Sequence, residues 1–169
     1  MSSTATETPT PDIHNGKFFF FYKSMLSNWH QKKFTVWDRT FVCGEQAMMN
    51  AKAALFRDTE ALKKIMATTD PAEMQRIGRT VKNYNEEVWK SQREQIVYEF
   101  SLARFSQIDY LKKYLLSTDD AILVEASPID KIWGIGLDIA SAKVTPEEQW
   151  PGLKLLGKSS TRVKHTLRK

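Results

Sequence analysis

The chain has 169 residues, of which 41% are hydrophobic and 27% are charged, a composition typical of a globular domain with its own core. No apolar run approaches the roughly 18 residues that a membrane-spanning helix needs, so no membrane protein is expected. The net charge is +5, but six basic residues follow Glu148 without an acidic residue among them, and the preceding part is near neutral. This distribution argues against a broad nucleic-acid-binding surface. The basic C-terminal segment is either a solvated end, which we favour, or a phosphate contact.

The N-terminal segment predicts a tail rather than a folded element. Residues 1–16 are rich in Ser, Thr and Pro and predict disorder, whereas residues 17–169 predict a single domain. The basic start and apolar stretch of a secretory signal are missing. Cys43 is the only cysteine, which leaves no intrachain disulfide and suits a reducing cytoplasm, the expected location.

Strands are predicted first along the chain. Residues 17–22, with four consecutive phenylalanines, predict a buried strand. Residues 26–29 predict a loop, and residues 34–42 predict two short strands that turn at Asp38 and Arg39. These segments together indicate a small β-sheet.

Helical patterns dominate the remainder of the chain. Helices are predicted over residues 45–56, 59–66, 71–77, 85–106, 108–116 and 153–167, with a short strand over residues 121–125. Residues 127–136 are rich in turn formers and predict a loop of the kind that carries sites. The expected fold class is therefore α+β, mostly α-helical, as a single compact domain with a small β-sheet.

Glu45 and Lys52 lie seven residues apart in the first predicted helix. Seven residues are close to two helical turns, so both side chains leave the same face, with Cα atoms roughly 10 Å apart. This separation exceeds that of a helical ion pair and leaves room for a small ligand. From spacing alone, an exposed pair of polar residues is the commoner alternative.

Three familiar kinds of site are not indicated. The three histidines, His14, His30 and His165, are scattered, so no metal site is expected. Residues 134–136 lack the third glycine and the following helix of a dinucleotide fingerprint, and no cofactor is expected. Cys43 precedes a helix N-terminus that would lower a thiol pKa, but with no histidine near it in sequence we favour a buried structural cysteine.

Asp130, Trp89 and Trp133 complete the candidate set. Cleavage of a bond from a sugar's anomeric carbon to nitrogen passes through an oxocarbenium-like state, which carboxylates such as Glu45 and Asp130 can stabilise. If Lys52 is desolvated, part of it is a neutral amine, and a neutral amine can form an imine with a sugar carbon. The two tryptophans are either walls of a pocket or ordinary core residues.

In the order of these pieces, the chain from Phe18 onward resembles the NADAR superfamily, also called the YbiA-like family. Each motif is weak alone, whereas their shared order and spacing are a strong joint signal. The matching segments are Phe20-Phe21-Tyr22, Leu26-Ser27-Asn28-Trp29, Glu45 with Gln46 through Lys52, Ile77-Gly78-Arg79, Trp89, Ala103-Arg104-Phe105, Leu123-Val124-Glu125, Asp130, Trp133-Gly134 and Leu155-Leu156-Gly157.

The resemblance implies an N-glycoside hydrolase that cleaves a ribose C1 to nitrogen bond. Some family members act on phosphorylated ribosylamino-pyrimidine intermediates of riboflavin synthesis, and others remove ADP-ribose from guanine bases in nucleic acid. The expected partner is a small nucleotide or ADP-ribosyl substrate, with ADP-ribosylated nucleic acid as a further candidate. A non-catalytic reader of ADP-ribose or of a nucleotide is the alternative function.

The resemblance also implies roles for particular residues. The family's glutamate falls on Glu45, its proposed lysine nucleophile on Lys52 and its aspartate on Asp130. The family's tryptophans fall on Trp89 and Trp133, which would frame the substrate.

Three further positions are implied to bind substrate. Arg79 would hold a phosphate or anchor a loop, Asn28 would bind the ligand or shape its turn, and Gly134 follows the second tryptophan. Compared with the family, residues 46–51 lack the usual aromatics, and Met48 and Met49 predict an adaptable thioether surface instead.

Two more departures lie near the C-terminus. Lys154 replaces a family asparagine, and residues 135–138 replace an Asp-Gly-rich loop. All of these changes are expected to affect base recognition more than bond cleavage.

Overall fold

Two small sheets are present in the computed structural model, which describes residues 11–169. The strands are β1 (Ile13–His14), β2 (Phe18–Phe21), β3 (Phe34–Val36), β4 (Arg39–Phe41) and β5 (Ile122–Glu125). In the first sheet β2 is central, antiparallel to β1 and parallel to β5. The tail was predicted over residues 1–16, of which residues 1–10 lie outside the described residues. The strand β1 lies in the described part of that segment, residues 11–16.

The β1-β2-β5 sheet separates two hydrophobic clusters. Successive side chains of a strand point to opposite faces, so the second and fourth phenylalanines of β2 pack in the larger cluster and the other two in the smaller one. In β5, Leu123 belongs to the larger cluster and Val124 to the smaller. By the same alternation, Glu125 at the end of β5 faces the side of the larger cluster.

The β3-β4 hairpin turns one residue earlier than predicted. Trp37 and Asp38 both have positive φ, 54° and 56°, as the two central residues of a type I′ turn require. Arg39, predicted in the turn, instead begins β4 and pairs with Val36. Tryptophan rarely adopts positive φ, so the sequence pattern pointed to the wrong pair. The Trp37 indole packs edge-on against Phe41, with ring centroids 6.3 Å apart.

Seven α-helices account for most of the regular structure within the described residues. They are α1 (Gly44–Leu55), α2 (Thr59–Ala67), α3 (Pro71–Gly78), α4 (Glu86–Gln107), α5 (Asp109–Leu116), α6 (Ile139–Val144) and α7 (Leu155–Leu167). Side-chain caps begin four of them, from Asp58, Asp70, Asn85 and Asp138. The helix α6 and a 3₁₀ turn at Glu147–Gln149 were not predicted, because six residues are too few to display a helical period.

The last helix, α7, begins two residues later than predicted and is docked rather than free. Lys154 has a left-handed φ of 51° and ends the preceding segment. A β-carbon at Gly157 would lie 2.0 Å from the carbonyl oxygen of Leu123, so α7 rests directly on β5. Lys164 is 1% exposed and donates to the carbonyl oxygen of Ala121 at 2.6 Å. The favoured prediction of a solvated basic end is wrong for this lysine.

The predicted fold class, α+β and mostly α-helical with a small sheet, is confirmed. The helix α1 is central, since it packs against α2, α3 and α4, and most of its residues are buried. A polar side chain on α1 therefore enters the interior unless it lies near the C-terminal end. This position decides the environment of the candidate catalytic residues.

Candidate active site

Glu45 lies in the first turn of α1 and is buried, with 4% of its surface exposed. Its backbone N–H donates to the carbonyl oxygen of Asn28 at 2.9 Å, which ties the 26–29 loop to the helix. A β-carbon at Gly44 would lie 2.7 Å from Oδ1 of Asn28, so glycine permits this close approach. The alternative of an exposed polar pair is therefore wrong for Glu45.

A buried arginine of α4 also holds this loop, through hydrogen bonds to its backbone. Arg104 is 1% exposed, and its Nη2 donates to the carbonyl oxygens of Met25 at 2.6 Å and Ser27 at 3.1 Å. Burial lowers the pKa of Arg104 to about 10, which leaves it charged at neutral pH. The loop is thus held by charge-assisted hydrogen bonds from α4.

Cys43, two residues before Glu45, is buried, as the favoured interpretation required. Its thiol lies 3.7 Å from the sulfur of Met74, and burial raises its pKa above the usual value. A thiol in this environment is poorly nucleophilic. Cys43 therefore belongs to the core rather than to the chemistry of the site.

The Lys52 amine is half-buried and lies against two aromatic rings. Its Nζ is 4.7 Å from the ring centroid of Tyr84 and 5.6 Å from that of Trp89. Burial lowers the pKa of Lys52, the Glu45 carboxylate opposes this effect, and the Arg79 charge adds to it. Tyr84 was missed in the sequence, because it lies in the loop before α4, where no periodicity links it to α1.

Trp89 combines the two roles that the sequence left open. It is 6% exposed and belongs to the larger hydrophobic cluster, yet its ring faces the Lys52 amine. Trp133 is half-buried and packs against the same cluster. Trp89 therefore presents its ring to the Lys52 amine without losing its core contacts, whereas for Trp133 only the core packing is seen.

Asp130 shapes the loop that follows β5. One of its carboxylate oxygens, Oδ1, accepts from the backbone N–H groups of Ile132 and Trp133, both at 2.9 Å. The Ser127 hydroxyl accepts from the backbone N–H of Asp130 at 3.0 Å and braces the same turn. The Asp130 charge also reaches Glu45, because it contributes to the raised pKa of that residue.

Gly134 is placed by packing in this loop. A β-carbon there would lie 2.9 Å from the carbonyl oxygen of Asp130 and 3.1 Å from that of Glu125. The backbone N–H of Ile135 also donates to the Glu125 carbonyl oxygen at 3.1 Å. Glycine therefore lets the loop fold back onto the end of β5.

The carboxyl of Glu45 has a pKa close to neutral pH. Burial raises its pKa to about 7, and the nearby Asp130 charge acts in the same direction. The Trp29 side chain, the Lys52 ammonium and the Arg79 guanidinium partly offset these effects. The charges of Asp130, Lys52 and Arg79 therefore all influence the pKa of Glu45.

Glu125 is a third acidic side chain at the same place. Its Oε2 is buried and has no hydrogen-bond partner among residues 11–169. Burial raises its pKa to about 8, and the charges of Asp130 and Glu45 add to the shift. In the sequence it ended a predicted strand and the family segment Leu123-Val124-Glu125, but no role was assigned to it; the alternation of β5 toward the larger cluster is a further signal.

The two remaining candidates differ in exposure. Asn28 is 5% exposed, and its Oδ1 has no hydrogen-bond partner within the described part of the chain. Arg79 is exposed at the C-terminal end of α3, and its charge influences the pKa values of Glu45 and Lys52. One is a buried acceptor and the other an accessible cation.

Met48 and Met49 do not form the predicted thioether surface. They are 3% and 7% exposed and pack in the larger hydrophobic cluster. A β-carbon at Gly78 would lie 2.0 Å from the sulfur of Met49, so this methionine fills the contact between α1 and α3. The prediction is wrong because α1 turns these positions toward the core.

The arrangement joins an amine of lowered pKa to carboxyl groups of raised pKa beside aromatic rings. Such opposed environments are typical of sites that move protons or form covalent bonds at neutral pH. In residues 11–169, no three His, Cys, Asp or Glu side chains are arranged to hold a metal ion.

None of the helices found between residues 11 and 169 is both long and apolar enough to cross a membrane.

Comparison with known proteins supplies independent information. Residues 18–168 match the model of the NADAR domain family. The chain is 44% identical over 124 residues to N-glycosidase R617 of Acanthamoeba polyphaga mimivirus, covering 73% of each protein. It is 35% identical over 81 residues to the chloroplastic riboflavin biosynthesis protein PYRR of Arabidopsis thaliana, covering 46% of this chain and 14% of that one.

The fold has a solved counterpart. The NMR structure of the Escherichia coli protein YbiA superposes with a TM-score of 0.72 at 23% sequence identity, covering 92% of this chain and 88% of that one. This likeness concerns the fold. The match of residues 18–168 to the family model and the 44% identity to the viral N-glycosidase confirm the predicted family: the chain belongs to the NADAR domain family.

Proposed function

We propose that this protein is an N-glycosidase that hydrolyses the bond between ribose C1 and a nitrogen atom of a nucleotide-like substrate. The observation that carries the proposal is the environment of Lys52, whose amine lies near two aromatic rings and in the field of the buried Glu45. Since burial lowers its pKa, the neutral amine is available at lower pH than for an ordinary lysine. The relative named as an N-glycosidase supports the same reaction class.

In the proposed reaction, Nζ of Lys52 attacks ribose C1 and the bond from C1 to the base nitrogen breaks. Glu45 and Asp130 stabilise the positive charge that develops on the sugar. After loss of a proton and ring opening, the sugar stays attached to Nζ as an imine. Water hydrolyses this imine, so the net reaction consumes one water molecule and restores the amine.

The remaining candidates hold the substrate in this proposal. Trp89 and Trp133 frame the base or the ribose. Asn28 offers its unpartnered Oδ1 to a ligand hydroxyl or amine, and Arg79 offers an accessible guanidinium to a phosphate. Gly134 contributes by keeping its loop close to the end of β5.

Two substrate classes fit this set of groups. An ADP-ribosylated guanine, free or in nucleic acid, and a phosphorylated ribosylamino-pyrimidine both present a ribose C1 to nitrogen bond and at least one phosphate. The riboflavin-related relative supports the second class, over less than half of this chain. Both substrate classes are therefore tested.

The test is release of the base from each substrate class, followed by mass spectrometry. The wild-type protein is expected to release base from at least one class. Lys52→Ala is expected to lower turnover at least 1,000-fold while leaving the folded state intact, because the nucleophile is lost. Lys63→Ala, at an exposed position of α2, is the matched control and should match the wild type.

The alternative function, a non-catalytic reader, predicts a different result. A reader would bind the ribosylated substrate and release no base, and Lys52→Ala would change its binding constant only. Base release by Lys52→Ala at the wild-type rate would contradict the covalent mechanism. Binding without release by the wild type would contradict the hydrolase.

A further inference from the structure

Glu125 has an unusual position for a glutamate. It ends β5 opposite Phe21, which is 0% exposed, and it points to the side of the larger hydrophobic cluster. Its Oε2 is buried without a hydrogen-bond partner in residues 11–169. An unsatisfied buried carboxylate oxygen costs free energy, so a role in the folded protein's chemistry is the natural explanation.

The groups around Glu125 favour its protonated form. Burial is the largest influence on its pKa, and the charges of Asp130 and Glu45 also disfavour its ionised form. From the strand β2, only phenylalanines lie alongside. The helix α7 approaches β5 through Gly157 and Thr161, while its buried Lys164 contacts the opposite end, near Ala121.

Glu45 and Glu125 differ in their cationic neighbours. Lys52 and Arg79 both favour the ionised form of Glu45, whereas no cation of the described part of the chain offsets the pKa shift at Glu125. Two acidic groups with environments that favour different protonation states can divide the acid and charge-stabilising roles. Glu45 is suited to face a developing positive charge, and Glu125 is suited to hold a proton.

We propose that Glu125 is the carboxylic acid that protonates the departing base nitrogen. This inference rests on the proposed N-glycosidase function. As the Lys52 nitrogen bonds to C1, the electron pair of the C1 to nitrogen bond moves to the base, which takes the Glu125 proton. The alkylammonium formed on Lys52 then loses its proton to water, and the Glu125 carboxylate regains one from water, so the acid is restored for the next turnover.

Two substrates with different leaving groups test this role. A base linked through a neutral nitrogen must gain a proton to leave, whereas the pyridine of an N-ribosyl pyridinium leaves as a neutral molecule without one. Glu125→Gln keeps the size and neutrality of the protonated acid but removes its acidity. On the first substrate it should lower kcat about 100-fold or more, with KM little changed. The activity of the wild type should decline at alkaline pH as Glu125 loses its proton, and Glu125→Gln should abolish this decline. On the pyridinium it should stay within about fivefold of the wild type.

Two matched variants serve as controls. Glu94→Gln, at an exposed position of α4, should leave both activities and the pH profile unchanged. Glu125→Asp retains an acid on a shorter side chain and should keep the alkaline decline at reduced kcat. It also tests the role if the glutamine variant does not fold.

The outcomes separate this inference from the function on which it rests. Equal activity of Glu125→Gln and the wild type, equal losses on both substrates, or an unchanged alkaline decline would overturn the role of Glu125 and leave the N-glycosidase intact. If the wild type cleaves only the neutral substrate, the pH profile is the test: loss of the alkaline decline in Glu125→Gln supports the role of Glu125, and its persistence overturns it. If it releases base from neither, the proposed function fails together with this inference.

Discussion

The Lys52 amine is controlled by individual neighbours whose effects oppose one another. Burial and the Arg79 charge favour the neutral amine, and Glu45 favours the ammonium. The rings of Tyr84 and Trp89, 4.7 and 5.6 Å from Nζ, also attract the ammonium through their faces. A substrate that displaces water around Nζ would strengthen each of these influences.

A single substitution tests the electrostatic link between Glu45 and Lys52. Glu45→Gln removes the negative charge that favours the ammonium, so the pKa of Lys52 should fall. The measurement is the pH dependence of reductive methylation of Lys52, followed by peptide mass spectrometry. Its midpoint should move to lower pH, and Glu60→Gln, at an exposed position of α2, should leave it unchanged. A rise in the midpoint, or no change, would contradict the link.

At the scale of elements, the contact between α7 and β5 supports the end of the strand that carries Glu125. The close approach depends on Gly157, because a β-carbon there would overlap the Leu123 carbonyl group. The hydroxyl of Thr161 also accepts from the backbone N–H of Leu123 at 3.2 Å. Displacing α7 should therefore disturb the site as well as the fold.

Gly157→Ala measures this contact. The added methyl group meets backbone rather than a flexible side chain, so we expect a loss of about 2–4 kcal/mol in the free energy of unfolding. Lys158→Ala, one residue away and exposed, should change it by less than about 0.5 kcal/mol. Urea denaturation compares the two variants with the wild type. A Gly157→Ala protein as stable as the wild type would show that α7 does not rest on β5.

Long, strongly patterned elements could be predicted from the sequence, and short or strained ones could not. The periodicity of α4 and the Asp70-Pro71 start of α3 located those helices within a residue or two. The positive φ of Trp37 is rare for tryptophan and α6 is too short to display a helical period, so a local pattern predicts neither.

The candidate site shows the same division. Spacing on α1 indicated that Glu45 and Lys52 share a face, but it left burial open. Tyr84 and Glu125 join them only through the packing of a loop and a strand that are distant in sequence. Met48 and Met49 lie between the two in sequence and nevertheless face the core.

At the scale of the whole molecule, the carboxyl of Glu125, a partly buried residue whose Oε2 is buried, links stability to pH. Its pKa rises from 4.5 to about 8 on folding, so the folded state binds more protons than the unfolded state between those values. The contribution to stability is complete below about pH 4.5 and is lost as the pH rises through about 8.

The comparison of Glu125→Gln with the wild type isolates this contribution. The free-energy advantage of the variant should grow between pH 5 and pH 9, by an amount on the order of 3 kcal/mol. Thermal or urea unfolding across that range measures it, and Glu94→Gln should run parallel to the wild type. A difference between Glu125→Gln and the wild type that does not vary with pH would mean that Glu125 is ionised in the folded state at ordinary pH.

The central claim is a covalent link between the substrate's sugar and Lys52. The most direct measurement is to mix the wild-type protein with a ribosylated substrate in the presence of borohydride and locate the adduct by peptide mass spectrometry. The reductant should convert the imine to a stable secondary amine on the peptide that contains Lys52, with no such adduct in Lys52→Ala. Base release without a trapped sugar on Lys52, or a sugar trapped equally on other lysines, would contradict the account.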